Sequence, residues 1–139
     1  MIPEKDLELL ESFNGNGHVV LSAYVQLDTP QNREAAYEEF LRQAQKRLEE
    51  CGTRSDCRKA IQEDVEIVTL YLKTNGHRRQ PGLVIFSCAA ELFWRAYPLP
   101  VPVANRVSIG PRFDLDPLKR IASRRARMRE ALQVGAAQK

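Results

Sequence analysis

Leu7, Leu10 and Phe13 recur at helical spacing near the start of the chain, and Asn14-Gly15-Asn16-Gly17 then ends that helix with a strong turn signal. His18 to Asp28, HVVLSAYVQLD, is rich in β-branched and aromatic residues and predicts a first strand. Val19, Leu21, Ala23, Val25 and Leu27 form one core face. The other face, where Val20 and Tyr24 alternate with His18, Ser22 and Gln26, is expected to be partly exposed. Thr29-Pro30-Gln31-Asn32 breaks the strand. From Arg33 to Glu50, Tyr37, Phe40, Leu41, Ala44 and Leu48 draw the stripe of an amphipathic helix. Gly52 suits its C-cap, and Ser55 or Asp56 can N-cap a second helix whose stripe is Ile61, Val65, Val68 and Leu72, widened by Ile67 and Tyr71. Asn75-Gly76 stops it, so the two helices form a hairpin.

Leu83-Val84-Ile85-Phe86 is too uniformly apolar to be half exposed and reads as a central strand. Glu91 to Tyr97 returns antiparallel, and Val101-Pro102-Val103 followed by Arg106-Val107-Ser108-Ile109 predicts the fourth strand. Proline cannot donate to a sheet ladder, so Pro98, Pro100 and Pro102 mark a connection or an edge. Asp116-Pro117-Leu118 opens a last, basic helix. The order predicts a two-layer α/β sandwich: a small mixed, mostly antiparallel four-stranded sheet with a helical hairpin on one face. Residues 1–118 are expected to form the domain, and 119–139 a basic helix or linker toward a middle domain.

Composition narrows the classes. A hydrophobic fraction of 43% with 28% charged residues excludes a largely disordered or fibrous chain. The opening MIPEKDLELLESF is acidic and lacks a long apolar core, which argues against a signal peptide or membrane anchor. A soluble, cytoplasmic protein is expected. Cys51, Cys57 and Cys88 stand at no metal-ligand spacing and read as reduced thiols, with a Cys51–Cys57 bond across a turn as the alternative. The net charge of +3 hides an asymmetry: residues 119–139 carry seven basic residues against Glu130, so the tail is strongly positive and the remainder slightly negative.

Catalytic constellations are not apparent. There is no phosphate-binding glycine loop, no nucleophile elbow, and no paired His or Cys at metal spacing. Glu63/Asp64 lie on a helix face and Asp114/Asp116 in a loop, and a small hydrolase built on either pair is the weakest of the readings. His18 reads as a surface residue. Neither enzymatic activity of its own nor a cofactor or small-molecule substrate is expected. What remains are basic clusters able to meet phosphates: Arg54, Ser55, Arg58 and Lys59 at the hairpin tip, Lys73, His77, Arg78 and Arg79 at the far end of the second helix, and Arg124 and Arg125 in the tail.

The order of pieces over residues 15–120 resembles the N-terminal domain of archaeo-eukaryotic-type peptide-chain release factors. The resemblance is closest to their bacterial members, the Vms-like and Pelota-related release and rescue factors. It rests on Val20-Leu21-Ser22-Ala23-Tyr24-Val25, the charged helical hairpin, Gly82-Leu83-Val84-Ile85-Phe86-Ser87, Leu92-Phe93-Trp94, Leu99-Pro100-Val101-Pro102-Val103 and Asp114-Leu115-Asp116-Pro117-Leu118. It implies binding in the ribosomal A site, to rRNA and to tRNA or mRNA there, with peptidyl-tRNA hydrolysis assigned to a separate domain bearing a Gly-Gly-Gln loop. This sequence holds no Gly-Gly, and its Gly135-Ala136-Ala137-Gln138 reads as linker. Stop-reading members carry Asn-Ile-Lys-Ser at the hairpin tip, where this chain has Gly52-Thr53-Arg54-Ser55-Asp56. Their Tyr-x-Cys-x-x-x-Phe motif falls on Val107 to Phe113 and keeps only Phe113. These departures point to rescue of stalled ribosomes or subunits rather than codon reading. The competing expectation is a stand-alone interaction domain that presents the aromatic hairpin 91–97, with Phe93, Trp94 and Tyr97, to a protein partner.

Overall fold

The computed structural model describes residues 2–50, 55–75 and 80–137, the side chains of 55–57, 75 and 134–137 excepted. In chain order the described elements are α1 (Glu4–Ser12), β1 (Val20–Gln26), α2 (Pro30–Glu50), α3 (Ser55–Asn75), β2 (Gly82–Cys88), β3 (Phe93–Leu99), β4 (Arg106–Gly110) and α4 (Asp116–Ala137). The strands lie in the order β3-β2-β1-β4, and all three pairings are antiparallel. The α2–α3 hairpin covers one face, which is the two-layer α/β arrangement expected from the sequence.

Local chemistry explains most of the boundaries. The turn after α1 uses Asn16 and Gly17 at positive φ, 53° and 87°, with the Asn16 N–H donating to Asn14 Oδ1 at 2.8 Å. Thr29-Pro30 ends β1, as expected, and it also starts α2 a turn earlier than the apolar stripe suggests. Thr29 Oγ1 accepts from the Asn32 N–H at 3.1 Å, and Pro30 takes the first helical position, where a missing N–H costs nothing. β4 is confined to Arg106–Gly110, so Val101-Pro102-Val103 is a connection and not part of the fourth strand. That proline-rich connection passes over β2 at Gly82. A Cβ there would lie 2.8 Å from the Val101 carbonyl oxygen, so the crossing requires glycine.

The expectation of a half-exposed β1 is corrected. Val20 through Val25 are all buried, because β1 is central and both of its faces are covered. Toward α2 and α3, Leu21, Ala23, Val25, Leu83 and Ile85 pack with Ala36, Phe40, Ala44, Val68 and Leu72. On the reverse, Val20, Tyr24, Val84 and Phe86 pack with Ile2, Leu10, Phe113, Leu115, Leu118 and Ile121, side chains from α1 and the residues before it, the 111–115 segment and the first turns of α4. Phe86 is ringed there by Tyr24, Tyr97 and Phe113, with centroids at 6.4, 6.3 and 5.2 Å.

Asp64 also departs from its sequence reading. It stands three residues after Ile61 and four before Val68, on the apolar stripe, and is 2% exposed. Its Oδ1 accepts from Ser87 Oγ at 2.6 Å and the Ala89 N–H at 2.8 Å, tying α3 to the end of β2. Burial raises its pKa and these hydrogen bonds only partly offset that. Its hydrogen bonds make it a structural tie between α3 and β2.

Candidate nucleic-acid interface

β4 is an edge strand, and its free side must be satisfied or blunted. Side chains of α2 do this. Gln43 presents its amide to the strand as a second backbone would: Oε1 accepts from the Val107 N–H at 3.0 Å and Nε2 donates to the Asn105 carbonyl at 3.2 Å. Arg47 Nε donates to the Val107 carbonyl at 3.0 Å, and its Nη1 pairs with Glu50 at 2.9 Å. Asn105 is held in turn, its Oδ1 accepting from the Gln26 N–H at 2.8 Å.

The other wall is built around Asp114. Its N–H donates to Ser22 Oγ at 2.9 Å, and its carbonyl accepts from the Tyr24 hydroxyl at 2.5 Å. Its carboxylate takes Arg106 Nε at 2.8 Å and Ser108 Oγ at 3.0 Å. One residue thereby fixes the β4 side chains and the entry into α4 against the central strand. Burial, and then the Asp114 charge, hold the Tyr24 phenol protonated far above its ordinary range. The carboxylate and backbone of Asp114 are thus engaged in structural bonds.

Between these walls runs a groove of about 510 Å³ whose lining includes four guanidinium groups: Arg47 from α2, Arg106 from β4, and Arg120 and Arg124 from α4. Gln43, Asn105 and Ser108 add polar groups. Pro117, Arg120, Ile121 and Arg124 follow the i, i+3, i+4, i+7 rule and so share one face of α4. Arg47 and Arg106 are each paired to a carboxylate, whereas among the described residues Arg120 and Arg124 are in no ion pair. A depression of similar size, about 540 Å³, lies between the α1–β1 turn and Pro111-Arg112, but Glu11, His18 and Arg112 give it groups of mixed sign. The arginine groove is where positive charge converges.

Among the described residues, those expected from sequence do not gather in one place. Arg58 and Lys59 are exposed at the start of α3. Lys73 is about 22 Å further along that helix at 1.5 Å per residue, with its Nζ 5.0 Å from the centre of the Tyr37 ring. Arg124 lines the groove, and Arg125 is exposed beside it on α4. Arg54, His77, Arg78 and Arg79 lie outside the described residues, as does the side chain of Ser55. Sequence reading missed Arg47, Arg106 and Arg120. The spacing of Arg120 and Arg124 was available as a signal; their meeting with Arg47 and Arg106 is a matter of tertiary contact.

The aromatic hairpin does not form the exposed patch expected of an interaction domain. Trp94 packs on Tyr71 at 5.4 Å, Phe93 lies between Phe13 and Phe113 at 4.4 and 5.5 Å, and the Tyr97 hydroxyl donates to Asp6 at 2.8 Å. All three are half-buried, and the large apolar residue left exposed there is Leu92.

Fold and groove together define an open-sheet α/β domain with a basic flank. No protein-family model matches the chain, and neither does any curated protein. Solved structures do share the fold. One, described only as an archaeal protein, matches with a TM-score of 0.64 at 16% identity, over 84% of this chain and 34% of its own. The crystal structure of the archaeal translation termination factor aRF1 matches with a TM-score of 0.61 at 17% identity, over 81% of this chain and 31% of its own. The chain thus spans about a third of the length of either structure, and at these identities what is shared is a release-factor-like fold. Among the described residues no helix is long and apolar enough to cross a membrane.

Proposed function

We propose that this chain is a ribosome-binding, release-factor-type N-terminal domain that acts in the cytoplasm in the rescue of stalled ribosomes. Peptidyl-tRNA hydrolysis is assigned to a further domain of the full factor, and the chain has no catalytic centre of its own. The observation that carries this reading is the fold shared with aRF1 over 81% of the chain. Two positions of the chain support the narrower reading. Two positions that fall on the tyrosine and the phenylalanine of the codon-reading motif, Val107 and Phe113, are buried in opposite halves of the core. Val107, in place of the tyrosine, has no hydroxyl to offer a base edge, which favours rescue over codon reading. Membership of the bacterial, Vms-like branch is part of the proposal.

Co-sedimentation of the 139-residue chain with empty and peptidyl-tRNA-bearing ribosomes across a salt series tests it. Binding that weakens steeply with salt is expected, because contacts to rRNA phosphates release counterions. Absence of co-sedimentation at low salt would sink the reading for this domain.

A further inference from the structure

We propose that the groove between α2, β4 and α4 holds the phosphate backbone of a single RNA strand, and that Arg120 and Arg124 supply the contacts. The choice of RNA as the polyanion rests on the ribosome-binding reading; the preference for a polyanion rests on the groove itself. Three elements bring four guanidinium groups to one concave surface, and guanidinium is the side chain best matched to a phosphate's paired oxygens. Arg47 and Arg106 are anchored by Glu50 and Asp114, which fixes their positions. Arg120 and Arg124 are exposed, one helical turn and about 6 Å apart along the axis, able to meet neighbouring phosphates of a strand lying across α4.

Two further observations choose among occupants. Among the described residues no aromatic lines the groove, so they give it no stacking platform for bases, and recognition falls on the backbone without sequence preference. An extended peptide is disfavoured because the outward backbone groups at the start of β4 are already taken. The Val107 N–H and the Asn105 and Val107 carbonyls are bonded to Gln43 and Arg47.

The test uses fluorescence anisotropy of a labelled uridine 20-mer with the 139-residue chain over a salt series. Two phosphate contacts on a single strand give a slope of log K against log salt of about −1.4, and loss of both takes it toward zero. The double variant R120Q/R124Q is therefore expected to bind about tenfold more weakly or worse at low salt, with most of the slope lost. R127Q/R129Q removes the same charge from exposed positions further along α4 and is expected to retain binding. Unchanged thermal unfolding checks that the fold is intact in both.

Equal loss in the two double variants would assign binding to diffuse charge along the helix and overturn the site. So would no binding by the wild type, or competition by polyglutamate as effective as by RNA. Ribosome pelleting separates this site from the function. If R120Q/R124Q still pellets with ribosomes but the chain does not bind the 20-mer, the groove proposal alone fails. Groove-dependent RNA binding without pelleting leaves the site standing and removes the ribosomal reading.

Discussion

On one face of the sheet, two long helices adjacent in sequence lay an aliphatic stripe over Leu21, Ala23, Val25, Leu83 and Ile85. On the other, the cover comes from pieces far apart in the chain: α1, the irregular segment 111–115 and the first turns of α4, packed around aromatic rings. The difference is in what each cover must satisfy. Helices bring their backbone hydrogen bonds with them, whereas an irregular segment laid on a core needs partners for its amides and carbonyls. The reverse face accordingly places Ser22 and Tyr24 on the central strand, where they bond the backbone of Asp114. The helix face has its own polar tie in Asp64, which serves the end of β2 and the N–H of Ala89. Irregular cover is thus held by specific polar bonds as well as by area, and those bonds also place the arginine groove.

The comparison breaks if the reverse face is a loose lid and not a core. Phe86→Ala removes a fully buried ring from its centre and is expected to cost about 3–5 kcal/mol. Phe113→Ala, in the irregular segment, should cost a similar amount, about 3–5 kcal/mol, if that segment is packed as tightly as its contacts with Phe13, Phe86 and Phe93 indicate. Urea unfolding at constant slope measures both. A near-zero effect at Phe113 would show that the two faces differ in kind and not merely in construction.

Asp64 sharpens the contrast from the helix side. Asp64→Ala strands the Ser87 hydroxyl and the Ala89 N–H and is expected to cost about 1–3 kcal/mol. Asp64→Asn keeps an acceptor without a buried charge and should cost less. Its pH dependence has a definite sign. The folded carboxyl has a pKa above its ordinary 3.8, so its contribution is complete below that value and is lost as pH rises through the folded one. Wild type should therefore gain on Asp64→Asn during acidification. A difference that stays constant with pH would show that the buried carboxyl carries no shift.

The helix face was the more legible of the two. Its stripes at Phe40, Ala44 and Leu48, and at Ile61, Val68 and Leu72, are periodic within single elements, and periodicity is a local signal. The reverse face was misjudged because Ser22 and Tyr24 look like surface positions until a distant segment supplies their partners, 92 and 90 residues away. The groove was hidden for the same reason. Arg120 and Arg124 could be paired by helical spacing, but nothing near Arg47 or Arg106 in sequence announces that 60 residues separate Arg47 from its partner on β4. The start of α2 was a different miss: Thr29-Pro30 is both a strand breaker and a helix start, and only the first meaning was taken.

The smallest expected effect concerns the attachment of α1 to the reverse face. The Tyr97 hydroxyl donates to Asp6, and Tyr97→Phe should cost about 1 kcal/mol at neutral pH. Burial, and then the hydrogen bond to Asp6, push the Tyr97 pKa up to about 12 from an ordinary 10.0. The phenol ionises first in the unfolded chain, so its contribution is complete below pH 10 and is lost as pH climbs toward 12. The gap between wild type and Tyr97→Phe should narrow over that window. The Asp64 contribution is instead the one regained on acidification, since its pKa is raised from an ordinary 3.8. Opposite ends of the pH scale therefore report on opposite faces of one sheet. A Tyr97→Phe gap that is constant from pH 9 to 12 would mean that the hydroxyl is solvated and that α1 is held by Leu7, Leu10 and its other apolar contacts alone.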